Sequence, residues 1–297
     1  VGRSTYTQML NESAGIETDL TVISINENHF RIISGAAVRE HDKHHIIKHL
    51  SKDLEFNDVT DDLICLGIFG PKSRDLLSKI SADNFSNENF KFGTGKFIKI
   101  HTKKVWAQRL SYVGELGFEI YINHDDAKEI YQLIIEEGKN HNLSHCGAHT
   151  MDTMRMESGF LHWGHDISPE ENQYEAGLKF AISYKKEIDF IGKKSLLKIN
   201  DNNKNKKFVM LSLNNNKAGN PLLLHEEPIY LENKIIGRTT SGNYSFNYKK
   251  NLSFGYINAE YQISELFNRN IYIEIEKKKY LANIELKPLK DKAFRSL

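Results

Sequence analysis

Two carboxylates stand at or beside strands that could turn them toward a pocket or toward solvent. Asp19 precedes the β-branched run Leu20-Thr21-Val22, so its side chain faces either solvent or a pocket, and an N-cap or turn role competes with both. Glu119 closes the run Ser111-Tyr112-Val113-Gly114-Glu115-Leu116-Gly117-Phe118-Glu119, in which a glycine-bearing turn leads into a strand that directs Glu119 away from the Phe118 and Ile120 face. A salt bridge and a pocket carboxylate both satisfy that placement. Asp152 and Arg155 lie one helical turn apart and can pair on a helix surface. The segment His162-Trp163-Gly164-His165-Asp166 sets two imidazoles, an indole and a carboxylate at a glycine-containing bend, which suits a polar pocket wall or plain packing.

Other chemistries lack their residues. His41, His45 and His49 recur every four positions and line one helix face, but a metal needs a further converging ligand, and a solvated face accounts for them. No metal site is expected. Gly93-Thr94-Gly95-Lys96 fails as a phosphate loop because Phe90 stands where a glycine is required and Phe97 where Ser or Thr is required. A G-x-G-x-x-G fingerprint between strand and helix is missing, so this stretch of chain has no recognisable site for a flavin or nicotinamide dinucleotide.

The elements that must position these residues follow from pattern. The chain has 297 residues, 39% hydrophobic, 27% charged and 10% aromatic, with 40 basic against 39 acidic residues. That length supports at least two cores. A near-zero net charge without a clustered basic face argues against nucleic acid or an anionic membrane as partner. Apolar runs such as residues 63–69 are far shorter than the roughly 20 residues of a membrane helix. Cys65 and Cys146 have no metal-ligand spacing and suggest a reducing compartment. The start at Val1, with no secretory signal after it, suggests a chain that begins within a longer protein.

Residues 21–25 and 30–34 predict two strands about an Asn26-Glu27-Asn28 turn, and 39–50 a helix with Ile46, Ile47 and Leu50 on one face. The run 64–69 predicts a strand buried on both faces, followed at Gly70-Pro71 by a helix with Leu76, Leu77 and Ile80 as its core side. Residues 117–122 alternate as a strand; Asp125 and Asp126 open a helix striped by Ala127, Ile130, Leu133 and Ile134. The polar run 200–207 predicts a boundary, giving domains 1–203 and 204–297. Beyond it, strands at 209–213, 271–275 and 280–286, with turns at Gly219-Asn220 and Gly242-Asn243, predict a small β-barrel or sandwich.

Several motifs occur in one order: Tyr6-Thr7-Gln8-Met9-Leu10-Asn11, Gly15-Ile16-Glu17-Thr18-Asp19-Leu20-Thr21-Val22, Gly70-Pro71-Lys72-Ser73-Arg74, Tyr112-Val113-Gly114-Glu115-Leu116-Gly117-Phe118-Glu119 and Thr239-Thr240-Ser241-Gly242. Through them the chain resembles the folate-binding aminomethyltransferase family, which includes the glycine-cleavage T-protein and the C-terminal part of dimethylglycine and sarcosine dehydrogenases. His162-Trp163-Gly164-His165-Asp166-Ile167, Glu175-Ala176-Gly177-Leu178, Asp189-Phe190-Ile191-Gly192 and Thr18 before Asp19 resemble the dehydrogenase-linked branch more than the T-protein. The resemblance implies an α+β, T-protein-like three-lobed cloverleaf of two interleaved α+β lobes and a C-terminal β-barrel, with tetrahydrofolate in a central channel and the N-terminal part of the first lobe missing. It makes Asp19 the catalytic carboxylate beside the reacting folate nitrogens and Glu119 the pterin-binding glutamate. Tyr6, Tyr112 and Arg155 match cofactor-binding positions along the folate. Met151 stands where many relatives carry Arg.

These residue types suit the implied chemistry. A pterin presents a row of N–H donors beside a flat ring, which a carboxylate and tyrosines can bind. Transfer of a one-carbon unit develops positive charge and releases protons, which a buried carboxylate such as Asp19 can stabilise and relay. The implied function is capture, as 5,10-methylenetetrahydrofolate, of the carbon released on N-demethylation of dimethylglycine or sarcosine. FAD would then be expected only on the missing N-terminal region, as a flavin domain partnering this one, in the cytoplasm or in the mitochondrial matrix of a eukaryote. A stand-alone aminomethyltransferase or methyltransferase, and a non-catalytic folate-binding module, are the alternatives.

Overall fold

Alternation and turn chemistry form the first sheet. In the computed structural model, which describes residues 1–200, 202–214 and 217–296, β1 (Ser4–Leu10), β2 (Ile16–Asn26) and β3 (His29–Ile33) lie in that order in a three-stranded sheet. The β2–β3 turn closes where Asn26 Oδ1 accepts the Asn28 backbone N–H at 2.9 Å, the Asx geometry that makes asparagine a turn residue. Then come α1 (Arg39–His49), β4 (Leu63–Phe69) and α2 (Ser73–Ile80), and after them β5 (Gly95–Ile100), β6 (Lys103–Gln108), β7 (Gly117–Asn123) and α3 (His124–Gly138). The chain divides into two compact units, Val1–Thr7 with Leu20–Gly147 and Lys292–Leu297 in one, Gln8–Asp19 with Ala148–Asp291 in the other.

In the first unit the antiparallel order is β4-β7-β6-β5. One face of this sheet is apolar: Ile68, Phe118, Ile120, Ile122, Val105, Ala107, Ile98 and Ile100 pack with Leu76 and Leu77 of α2 and Ile130 and Ile134 of α3. Phe118 is fully buried, edge-on to Phe85 at 5.5 Å and tilted against Phe90 at 5.4 Å. The strand at 64–69 departs from expectation. As β4 it is an edge strand bordered by β7 alone, its Ile68 buried but Cys65 and Gly67 exposed. A continuous apolar run does not reveal which of its small residues face outward.

The second unit begins its long segment with α4 (Ala148–Glu157) and the short α5 (Lys193–Leu196). Its strands are β8 (Lys206–Leu213), β9 (Pro228–Leu231), β10 (Lys234–Ser245), β11 (Lys250–Asn258), β12 (Ile271–Ile275) and β13 (Lys278–Glu285), with α6 (Ile263–Leu266) before β12. They close into a barrel in the order β10-β11-β8-β13-β12-β9, filled by Val209, Leu211, Ile229, Ile236, Ile257 and Ile273. A second core gathers Leu10, Ile16, Met156, Leu161, Ile167 and Phe254. Gly219, at φ 68°, makes the expected turn before Asn220. Gly242-Asn243 does not turn but lies within β10, paired with Ser253 and Leu252. Glycine is needed there for close approach, since a Cβ would stand 2.7 Å from the Leu223 carbonyl oxygen. Asp201, inside the polar boundary run, lies outside the described residues. Among the described residues no helix is long and apolar enough to cross a membrane.

Truncating Phe118 to Ala removes the ring at the centre of the first unit's core; the expected loss is about 3–5 kcal/mol in urea unfolding, and a loss under about 1 kcal/mol contradicts this packing.

Candidate functional site

The face of the four-stranded sheet opposite its apolar core is polar and aromatic. Period-two alternation that buries Phe118, Ile120 and Ile122 sends Glu119 and Tyr121 to this other side. Register then chooses their neighbours: Glu119 lies opposite Gly67 of β4 and Gln108 of β6, and Tyr121 opposite Cys65 and Trp106. The Tyr121 hydroxyl donates to Glu119 Oε2 at 2.6 Å. Burial holds the Glu119 carboxyl above its ordinary range, with the Tyr121 hydrogen bond acting the other way. Burial, then the nearby Glu119 charge, raises the Tyr121 hydroxyl in turn.

Three further side chains complete this face. Phe69, at the end of β4, lays its ring over two glycines, so that a Cβ on Gly67 or Gly117 would meet ring carbons at 2.4 and 2.2 Å. Gln108, 0% exposed, accepts the Trp106 indole N–H through Oε1 at 3.0 Å, while its Nε2 is buried without a partner. Arg31 of β3 holds its guanidinium 5.3 Å from the Tyr121 ring centre; Nη1 is buried without a partner, and burial lowers its pKa. Sequence spacing did not single out Phe69, Gln108 or Arg31. Only Gln108, a polar residue at a strand position alternating with apolar ones, left a signal.

The expected site residues divide between the two units. Tyr6 on β1, 37% exposed, and Tyr112 in the bend between β6 and β7, half-buried, lie with Glu119 in the first. Asp19 and Arg155 lie in the second. Asp19 is half-buried in the middle of β2, which rules out the N-cap or turn role its sequence context allowed. Glu119 makes no salt bridge among the described residues; a tyrosine hydroxyl takes the place of the expected cation.

Arg155 departs most from a surface pair. It is 1% exposed on α4, with Nε donating to Asp152 at 2.7 Å, Nη1 to Asp166 at 2.5 Å and to the Phe160 carbonyl at 3.0 Å, and Nη2 to Ser241 at 2.8 Å. Asp166 also accepts from Thr240 at 2.6 Å, Ser241 at 2.8 Å and the His162 backbone N–H at 3.0 Å. The bend after Leu161 is therefore anchored by its aspartate, while its His162 and His165 rings lie 4.6 Å apart. Burial, then the neighbouring His165, lowers the His162 pKa. Among the described residues no group of His, Cys, Asp or Glu is placed to hold a metal ion.

Asp166→Ala removes the more deeply buried of the two carboxylates that hold Arg155, Asp152 being the other, and the expected loss is about 3–5 kcal/mol, read by chemical unfolding. Glu119 has the opposite signature. Its pKa is raised on folding, so the stability it contributes is present below the unfolded value of about 4.5 and is lost as pH rises through the folded value. Glu119→Gln keeps an acceptor for Tyr121 and removes the charge. It should match the wild type near pH 4 and exceed it in urea midpoint near pH 7; a difference that does not change with pH contradicts this burial.

Comparisons with known proteins agree over most of the chain. The GCVT N-terminal domain profile matches residues 1–186, and the profile described as glycine cleavage T-protein C-terminal barrel domain matches residues 206–291. The chain is 32% identical over 295 residues to the mitochondrial dimethylglycine dehydrogenase of Homo sapiens, an alignment covering 97% of this chain and 33% of that protein. It thus spans about a third of the length of that relative. To the aminomethyltransferase of Alkaliphilus metalliredigens it is 31% identical over 291 residues, covering 98% of this chain and 77% of that protein. The glycine cleavage system aminomethyltransferase T from Bartonella henselae shares the fold, at a TM-score of 0.82 and 22% identity over 97% of this chain and 76% of that one. The expected T-protein-like fold class, with mixed α and β content and a C-terminal β-barrel, is therefore the fold found, and the chain belongs to the glycine cleavage T-protein family.

Proposed function

We propose that this chain is a tetrahydrofolate-dependent one-carbon transfer domain, and that it captures the carbon released on N-demethylation of dimethylglycine or sarcosine as 5,10-methylenetetrahydrofolate. The observation that carries the reading is the Glu119 face: a half-buried carboxylate held by the Tyr121 hydroxyl, beside a flat Phe69 ring and an amide with an unpaired donor. Those groups fit a pterin, which offers several N–H donors on one edge of a flat ring. When bound, tetrahydrofolate supplies the amine that takes up the one-carbon unit. Glu119 would accept its ring N–H groups, and Tyr121 would keep the carboxylate oriented. Tyr6 and Tyr112 are assigned to the same ligand by the family resemblance, as is Arg155, whose hydrogen bonds within its own unit favour a supporting part. Asp19, half-buried on β2, is the catalytic carboxylate in this reading: it stabilises developing positive charge and takes up a proton.

The flavin oxidation that produces such a carbon belongs, in this proposal, to another part of a longer protein of the dimethylglycine dehydrogenase kind. A second reading, a stand-alone aminomethyltransferase, is supported by the near-equal identities of 32% and 31% to the two relatives and by the 77% of the Alkaliphilus protein that is spanned.

Anaerobic calorimetry with tetrahydrofolate tests the binding half. Glu119→Ala should weaken binding roughly tenfold or more, since it removes charge-assisted hydrogen bonds. Asp19→Asn should keep affinity within about threefold while one-carbon transfer, driven by flavin-dependent oxidation of dimethylglycine supplied in trans, falls on the order of a hundredfold or more. Unchanged transfer in that variant contradicts the role given to Asp19 and favours a non-catalytic binding module.

A further inference from the structure

We propose that Gln108 reads the oxygen at position 4 of the pterin ring, so that the site prefers 4-oxopteridines over 4-aminopteridines. This rests on the folate reading above and adds to it a residue that selects among ring systems.

The orientation of the Gln108 amide is determined by its surroundings. An indole nitrogen can only donate, so the atom facing Trp106 Nε1 at 3.0 Å must be the amide oxygen. That oxygen lies over Gly95 of β5, where a Cβ would stand 2.1 Å from it. With the oxygen held by Trp106 and accommodated by a glycine, the NH2 end is directed elsewhere, and both of its hydrogens are buried without an acceptor. A buried amide kept only for packing would have its donor satisfied or be replaced by an apolar side chain.

Register makes Gln108 and Glu119 neighbours on one face. Gln108 and Glu119 are direct cross-strand partners, so their side chains leave the same face with Cβ atoms about 4.5–5.5 Å apart. Glu119 gives one oxygen to Tyr121 and keeps the other for a ligand. The pair therefore presents an acceptor next to a donor, the complement of an edge with N–H groups next to a carbonyl. A pterin has that edge in its 2-amino group and N3–H followed by the oxygen at C4. A 4-amino analogue would set N–H against N–H and leave the amide unpaired.

The test is calorimetric titration, under anaerobic conditions, of the chain with tetrahydrofolate and with its 4-amino counterpart. Wild type should prefer the 4-oxo ligand by roughly a hundredfold or more, the range expected when a site's buried polar group is left without its partner. Gln108→Met should reduce that preference to within about threefold by weakening the 4-oxo ligand alone, and Gln108→Glu, which replaces the donor with an acceptor, should favour the 4-amino ligand. Far-ultraviolet circular dichroism and thermal melting establish that the variants fold, and the wild-type comparison stands without them. Equal affinity of wild type for both ligands, or a preference that survives Gln108→Met, overturns the assignment and leaves the folate reading intact. Binding of neither ligand by wild type overturns both.

Discussion

The strict two-residue alternation of the sheet in the first unit is the constraint on which the candidate site depends. On β7, Phe118, Ile120 and Ile122 enter the core beneath α2 and α3, which leaves Glu119 and Tyr121 no choice but the opposite face. On β6, Val105 and Ala107 turn inward while Trp106 and Gln108 turn outward. On β4 the same rule separates Leu66 and Ile68 from Gly67 and Phe69. A one-residue slip of β7 or β6 would exchange the two sets, driving a carboxylate or an amide into a hydrocarbon core. The core therefore does more than stabilise the unit: it determines which side chains can meet a ligand.

The second unit holds its polar groups differently. Its buried charges are paired and heavily hydrogen-bonded: Arg155 with Asp166, and Glu157 with Lys290 at 3.2 Å and with Ser245 at 2.6 Å. The Glu157–Ser245 hydrogen bond, with that of Arg155 to Ser241, joins α4 to β10 across long stretches of sequence. Buried ion pairs of this kind contribute little net stability, yet removing one partner is costly, so they specify how a helix sits on a barrel. Glu119 pairs with no such cation among the described residues, and burial raises its pKa against the opposing Tyr121 hydrogen bond. Asp166 and Glu157 serve architecture; Glu119, in the proposed reading, serves a ligand.

Much of this was legible in the sequence where the information is local. The 117–122 alternation, the acidic start and apolar stripe of α3, and the asparagine turn before β3 depend on neighbours a few residues apart. The long motifs, matched in order, led to the right family and fold. What escaped depends on register or on distant partners. Gln108 matters because Glu119 and Trp106 surround it, Phe69 because two glycines let its ring lie flat, and Asp166 because Thr240 and Ser241 arrive from β10. Arg155 and Asp152 did pair, but burial turned an expected surface contact into part of a core network. Gly242-Asn243 carried the signature of a turn and instead relieves a close approach inside a strand.

Membership in the glycine cleavage T-protein family makes one-carbon chemistry the natural frame, and the proposal sets that chemistry on the polar face around Glu119. The central claim is that Glu119 receives the N–H edge of a flat heterocycle on this face of the first unit. A crystal structure of the chain grown with tetrahydrofolate tests it most directly. The account predicts density for a pterin ring with its amino edge against the Glu119 carboxylate, the Tyr121 hydrogen bond retained, and the ring beside Phe69. A bound folate that makes no contact with Glu119, on a chain whose sheet register is otherwise as described, would contradict it.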